Sequence, residues 1–209
     1  MNILQILSSA RPAAGPQASA SSVLADELGR LLAAAHPGAK RVVRDLGQQP
    51  QPMLDASALQ ALFTPAEHRN AEQIARVAKD DALIAELMAA DVLVIAAPMY
   101  NFTIPVQLKG WIDAVSRAGV TFTYAPEGPI GLVRGKTVYI VTTRGGVHRD
   151  QPADQVVPYL RTVLGFLGMT DIHVVYAEGL AYGPDAAAES MEHARATIRG
   201  WAGNAPALA

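Results

Sequence analysis

The chain has 209 residues, 50% of them hydrophobic, and 17 Lys plus Arg against 19 Asp plus Glu for a formal net charge of -2. That balance gives nucleic acid or an anionic membrane no electrostatic footing, and the apolar content suffices for one core and a single domain over 1–209. Cys is absent, which removes disulfides, thiolate metal ligands and a cysteine nucleophile and fits a reducing compartment, with the cytoplasm as the expectation.

The amino terminus MNILQILSSARP lacks a basic n-region and any apolar run long enough to span a bilayer, so it reads as a first strand in a soluble, unprocessed chain. That strand, Ile3–Leu7, leads into the loop SSARPAAGPQASASS and a helix over about 19–36. Backbone N–H groups at a helix start, with Ser hydroxyls beside them, hold a phosphate without Lys or Arg. Ser19 or Ser21 acting only as an N-cap is the competing reading. The loop matches neither GxxxxGK[ST] nor GxGxxG, which weakens ATP and dinucleotide readings of it.

Arg41–Leu46 is the second strand, and DLGQQPQPMLDASAL after it is irregular, expected as an excursion over the surface. A helix over about 66–90 precedes the third strand, Val92–Ala97, whose uninterrupted apolar run marks burial on both faces. At Pro98 the pattern breaks into Met99, Tyr100, Asn101 and Phe102, a thioether, two rings and an amide where a short polar turn would be ordinary. A helix over about 103–118 and the fourth strand, Thr137–Thr142, lead to TTRGGVHRD. Here Gly145 and Gly146 let the main chain approach a flat ligand or take positive φ, and Arg144 could meet a ring carbonyl or a negative charge. An ordinary strand-to-helix turn is the alternative, and His148 has no identifiable partner for a general-base role. A helix over 150–168, the fifth strand Ile172–Tyr176 and a helix over 185–200 complete the chain.

Strands alternating with helices predict right-handed βαβ units and an α/β flavodoxin-like fold. The expected sheet is five-stranded and parallel in the order 2-1-3-4-5, with helices on both faces, and it binds its ligand beyond the carboxyl ends of strands 1 and 3. The loops after strands 1, 3 and 4 then converge as a phosphate cradle, an aromatic and amide wall and a glycine floor. That combination suits a phosphorylated planar ring system, and FMN fits it. A metal is not expected, because His36, His68, His148, His173 and His193 show no HxH or HExxH spacing.

APMYNF, the SS followed by SAS, RAGVTFTY, TRGG, LGFLGM and AEGLAYGP, in that order over nearly the whole chain, resemble the FMN-dependent NADH-azoreductases, also called FMN-dependent NADH:quinone oxidoreductases. The resemblance implies a cytoplasmic homodimer with one FMN per subunit near the interface. It implies NADH as donor for two-electron reduction of quinones and reductive cleavage of aromatic azo compounds by a ping-pong mechanism. The flavin carries the chemistry, so no catalytic side chain is assigned.

Carried over by motif, Ser9 and Ser19, Ala20 and Ser21 would hold the FMN phosphate. Met99, Tyr100, Asn101 and Phe102 would line the isoalloxazine, with the Asn101 amide at its reactive edge. Thr143, Arg144, Gly145 and Gly146 would meet the other side, and Tyr124 and Phe166 would lie near the substrate. The loop between Ser9 and Ser19 is longer than in the family and Ala20 stands where a polar residue is common; N–H contacts to a phosphate survive that change. A flavodoxin-type FMN electron carrier without its own substrate is the alternative, but such carriers are shorter and strongly acidic, whereas this chain is near neutral and has extra segments at 47–66 and 119–135. A receiver domain would need acidic residues where Ser8, Ser9 and PMYNF stand, and a Ser hydrolase would need GxSxG.

Overall fold

A computed structural model describes residues 1–203. Five parallel strands form the central sheet: β1 (Asn2–Leu7), β2 (Lys40–Asp45), β3 (Val92–Pro98), β6 (Thr137–Thr143) and β7 (Asp171–Ala177), in the order β2-β1-β3-β6-β7. In strand count this is the expected 2-1-3-4-5 order. Two further strands, β4 (Phe122–Ala125) and β5 (Gly128–Gly131), make a separate antiparallel hairpin. The helices are α1 (Ala20–Ala35), α2 (Ala56–Phe63), α3 (Ala71–Ala89), α4 (Val106–Val115), α5 (Val157–Leu167) and α6 (Pro184–Gly203).

The run over β3 is apolar throughout because each side of its pleat meets a different layer. Val92, Val94 and Ala96 join Leu24, Leu28 and Leu32 of α1 and Ala194 and Ile198 of α6. Leu93, Ile95 and Ala97 join Leu83 and Leu87 of α3, Leu108 and Trp111 of α4, and Leu160 and Leu164 of α5. Period-two alternation across two buried faces leaves no position for a polar residue.

Several boundaries differ from those read off the sequence, each for a local reason. The helix expected from 66 starts at Ala71, because Asn70 and Gln73 form a reciprocal capping box and only a single 3-10 turn, Ala66–His68, precedes it. The helix expected from 150 starts at Val157: Asp150 is left-handed (φ 59°), and the Asp154 carboxylate receives the N–H groups of Val156 and Val157. The irregular excursion contains α2, capped by the Asp55 carboxylate on the Ala58 N–H and packed on α3. The extra segment at 119–135 contains the β4–β5 hairpin, seated against the end of α5. No helix among the described residues is long and apolar enough to cross a membrane.

Candidate functional site

Strand register brings the loops together. Leu7 pairs with Ala96, Pro98 with Thr143 and Thr143 with Ala177, so the chain leaves β1, β3, β6 and β7 along one sheet edge. Beyond that edge lies a cavity of about 270 Å³. Ser9, Arg11, Ser19 and Ala20 line it after β1, Pro98, Met99 and Tyr100 after β3, Thr143, Arg144 and Gly145 after β6, and Leu180 and Ala181 after β7. A larger hollow of about 460 Å³, between Arg149, Arg161 and Tyr176, includes no residue of the first loop or of the turn after β3, so the smaller cavity is the one the loops build.

One end of the cavity is set up for an anion. Ser19 occupies the N-cap position of α1 without making a side-chain cap; its hydroxyl lies 2.9 Å from that of Ser21 instead. The N–H groups of Ala20, Ser21 and Ser22 meet no acceptor among the described residues, although Ser19, Ser21 and Ser22 are buried. Uncompensated donors at a helix start carry its positive dipole end and require an acceptor from outside. Across the cavity the Ser9 hydroxyl lies 2.8 Å from the Tyr100 hydroxyl, which also receives the Ala10 N–H at 3.1 Å, while the Arg11 N–H donates to Ser9 Oγ at 3.0 Å. The Tyr100 phenol is thus fastened to the first loop.

The other end is shaped by backbone conformation. Asn101 and Phe102 both have positive φ, 48° and 72°, in a two-residue turn closed by Tyr100 N–H to Thr103 O at 2.9 Å and Thr103 N–H to Tyr100 O at 3.1 Å. Positive φ at both central positions is the I′ geometry; Asn accepts it and Phe does so at a cost. The turn holds the Asn101 amide and the Phe102 ring outward, with Phe102 53% exposed, and the Gln155 N–H anchors it through the Phe102 carbonyl at 3.1 Å. The His148 ring meets Phe102 edge-on at a centroid distance of 5.7 Å. On the facing wall a Cβ on Gly145 would come within 3.3 Å of the Ala181 methyl, and one on Gly146 within 2.8 Å of His148 Nε2.

The structure therefore gathers Ser9, Ser19, Ala20, Met99, Tyr100, Thr143, Arg144 and Gly145 around one cavity. Ser21, Asn101, Phe102 and Gly146 adjoin that lining in the chain. The Arg144 side chain is fully buried and turned to Asp154 and Glu178, so only its main chain lines the cavity. Tyr124 and Phe166 are not part of this lining: Tyr124 is 73% exposed on β4, and Phe166 stacks at 4.5 Å on Phe122. Arg11, Pro98, Leu180 and Ala181 were not anticipated. Leu180 and Ala181 follow the fifth strand of the sheet, in AEGLAYGP, and their position after that strand was the signal available. No cluster of three or more metal-ligating side chains occurs among the described residues.

The family described as having a flavodoxin-like fold matches residues 1–202. An FMN-dependent NADH:quinone oxidoreductase of Aromatoleum aromaticum is 58% identical over 198 residues, covering 95% of this chain and 98% of that protein. A protein of the same name from Leptothrix cholodnii is 59% identical over 198 residues, with 95% of each chain covered. Among solved structures, an azoreductase from Bacillus anthracis superposes with a TM-score of 0.87 at 30% identity, covering 97% of this chain and 99% of that one.

Proposed function

The chain belongs to the flavodoxin-like family that includes the FMN-dependent NADH:quinone oxidoreductases, and from that premise we propose that it binds FMN in this cavity and uses NADH to reduce quinones and to cleave aromatic azo compounds. The observation that carries the reading is the pairing, in one cavity, of unsatisfied N–H groups at the start of α1 with a flat glycine-walled slot beside the Asn101–Phe102 turn.

When bound, FMN supplies a ring that takes a hydride from NADH and passes two electrons to the acceptor. The protein's residues do the rest. The N–H groups of Ala20 and Ser21 and the hydroxyls of Ser9 and Ser19 hold the phosphate. Gly145 and Ala181 leave room for a planar group, and the Asn101 amide stands at the rim. The cavity is slightly smaller than the roughly 300–1,000 Å³ that encloses a whole ligand, so one face of FMN stays open for donor and acceptor in turn, a ping-pong order. No carboxylate or imidazole lines the cavity, so protons reach the acceptor from solvent. A second subunit covers part of this edge in the proposed homodimer, which would bury the exposed Met53, Phe63, Val106 and Tyr124. The cytoplasm is the proposed location.

Purified protein should be yellow, release FMN rather than FAD on heating, and lose its colour with NADH. Recovery of FAD, or no flavin after reconstitution, would sink the reading. Light scattering should give twice the 22.0 kDa chain mass; monomer alone at micromolar concentration would refute the dimer.

A further inference from the structure

Arg144 follows the last residue of β6, and its side chain is completely buried. A guanidinium that solvent cannot touch while the adjoining cavity is open does not reach a molecule lying in that cavity. It sits 2.9 Å from Asp154 Oδ2 and 3.5 Å from Glu178 Oε1, with its central carbon 5.1 Å from the centroid of the Tyr176 ring. No guanidinium N–H is aligned with an acceptor, so the contact is one of charge and ring packing.

Both carboxylates hold main chain. Glu178 Oε1 accepts the N–H groups of His148 and Arg149 at 2.7 and 2.8 Å. Asp154 Oδ1 accepts those of Val156 and Val157 at 3.0 and 3.3 Å. The main chain adds to this: the Arg144 N–H donates to Ala177 O, and the carbonyls of Arg144, Gly145 and Gly146 receive the N–H groups of Leu180, Ala181 and Gly179. One buried cation thus stands between the two anions that fasten the 145–156 loop.

We propose, on the premise that FMN occupies the cavity, that Arg144 is a positioning residue which makes no contact with the flavin and sets the height of the Gly145–His148 main chain through Glu178 and Asp154. Loss of its charge leaves two unpaired carboxylates in a nearly dry pocket, which drives them outward and releases the loop. Neutralising all three groups keeps amide oxygens for the same four N–H donors and removes the repulsion. Rescue by removing further charges is expected of an indirect role and impossible for a direct ring contact.

The test compares wild type, Arg144→Met and the triple variant Arg144→Met/Asp154→Asn/Glu178→Gln, each full-length and stripped of flavin, titrated with FMN and with riboflavin by fluorescence quenching. Arg144→Met should lose about ten-fold or more in affinity for both flavins, because the phosphate end is untouched. The triple variant should return to within about five-fold of wild type, and the visible circular dichroism of bound FMN, displaced in the single variant, should return with it. A triple variant more than about five-fold weaker than wild type, or a single variant with wild-type affinity, overturns the proposal. Should Arg144→Met fail to fold, the triple variant against wild type decides by the same threshold. Wild type that binds neither flavin overturns the FMN reading itself, and is distinguishable because no variant enters that comparison.

Discussion

Gly47 lies in the turn after β2, yet a Cβ on it would stand 2.3 Å from the carbonyl oxygen of Ser9 and 3.2 Å from Asp45 Oδ1. Ordinary contact begins at 3.4 Å, so Gly47→Ala must part the two segments by roughly 1 Å. The Gly47 side cannot swing away easily, because Asp45 Oδ1 holds the N–H groups of both Gly47 and Gln48 at 2.9 and 3.2 Å. The Ser9 loop therefore yields, and with it the hydroxyl pair of Ser9 and Tyr100. Overpacking of this kind costs about 1–3 kcal/mol. If the loop relaxes in the free protein and must be forced back around a phosphate, that strain appears as lost affinity, about 5- to 150-fold. Titration should then show FMN binding weakened over that range and riboflavin binding nearly unchanged, since riboflavin makes no use of the phosphate end. Wild-type affinity for FMN together with an unchanged Tm would show that the Ser9 main chain is not a fixed wall and refute the reasoning.

Asn101 offers a separation of backbone from amide: Asn101→Gly tolerates the left-handed φ of 48°, whereas Asn101→Ala should lose about 1 kcal/mol of stability. Both should slow stopped-flow reduction of bound FMN by NADH; a normal rate in the Gly variant would leave the amide no role. Asp55 is held below its ordinary carboxylate pKa, first by the Ala58 N–H and then by the Ser57 hydroxyl. A depressed folded pKa means that the cap's contribution is complete above the ordinary value and disappears as pH falls through the lower folded one. Hydrogen-exchange protection in α2 should therefore drop only in acid, and Asp55→Asn should remove that dependence; equal protection of wild type in acid and at neutrality would contradict it.

Element identity and order were legible along the chain wherever a segment answers mainly to its own periodicity. Val92–Ala97 could only be a doubly covered strand, and five such strands separated by helices leave little choice of topology once crossovers are right-handed. From that topology alone, Ser9, Met99 and Thr143 belong at one edge, and the register later places them there. Short elements whose stability comes from a neighbour were not legible: α2 depends on α3 for burial, and the β4–β5 hairpin depends on the end of α5. Only the tertiary structure decided which way side chains turn. It fastened the Tyr100 hydroxyl to Ser9 and turned Arg144 away from the cavity toward Asp154 and Glu178. Sequence spacing specifies where a residue leaves its strand, but the direction of a long polar side chain is set by partners that are remote in the chain, and a buried charge goes where its counter-charges are.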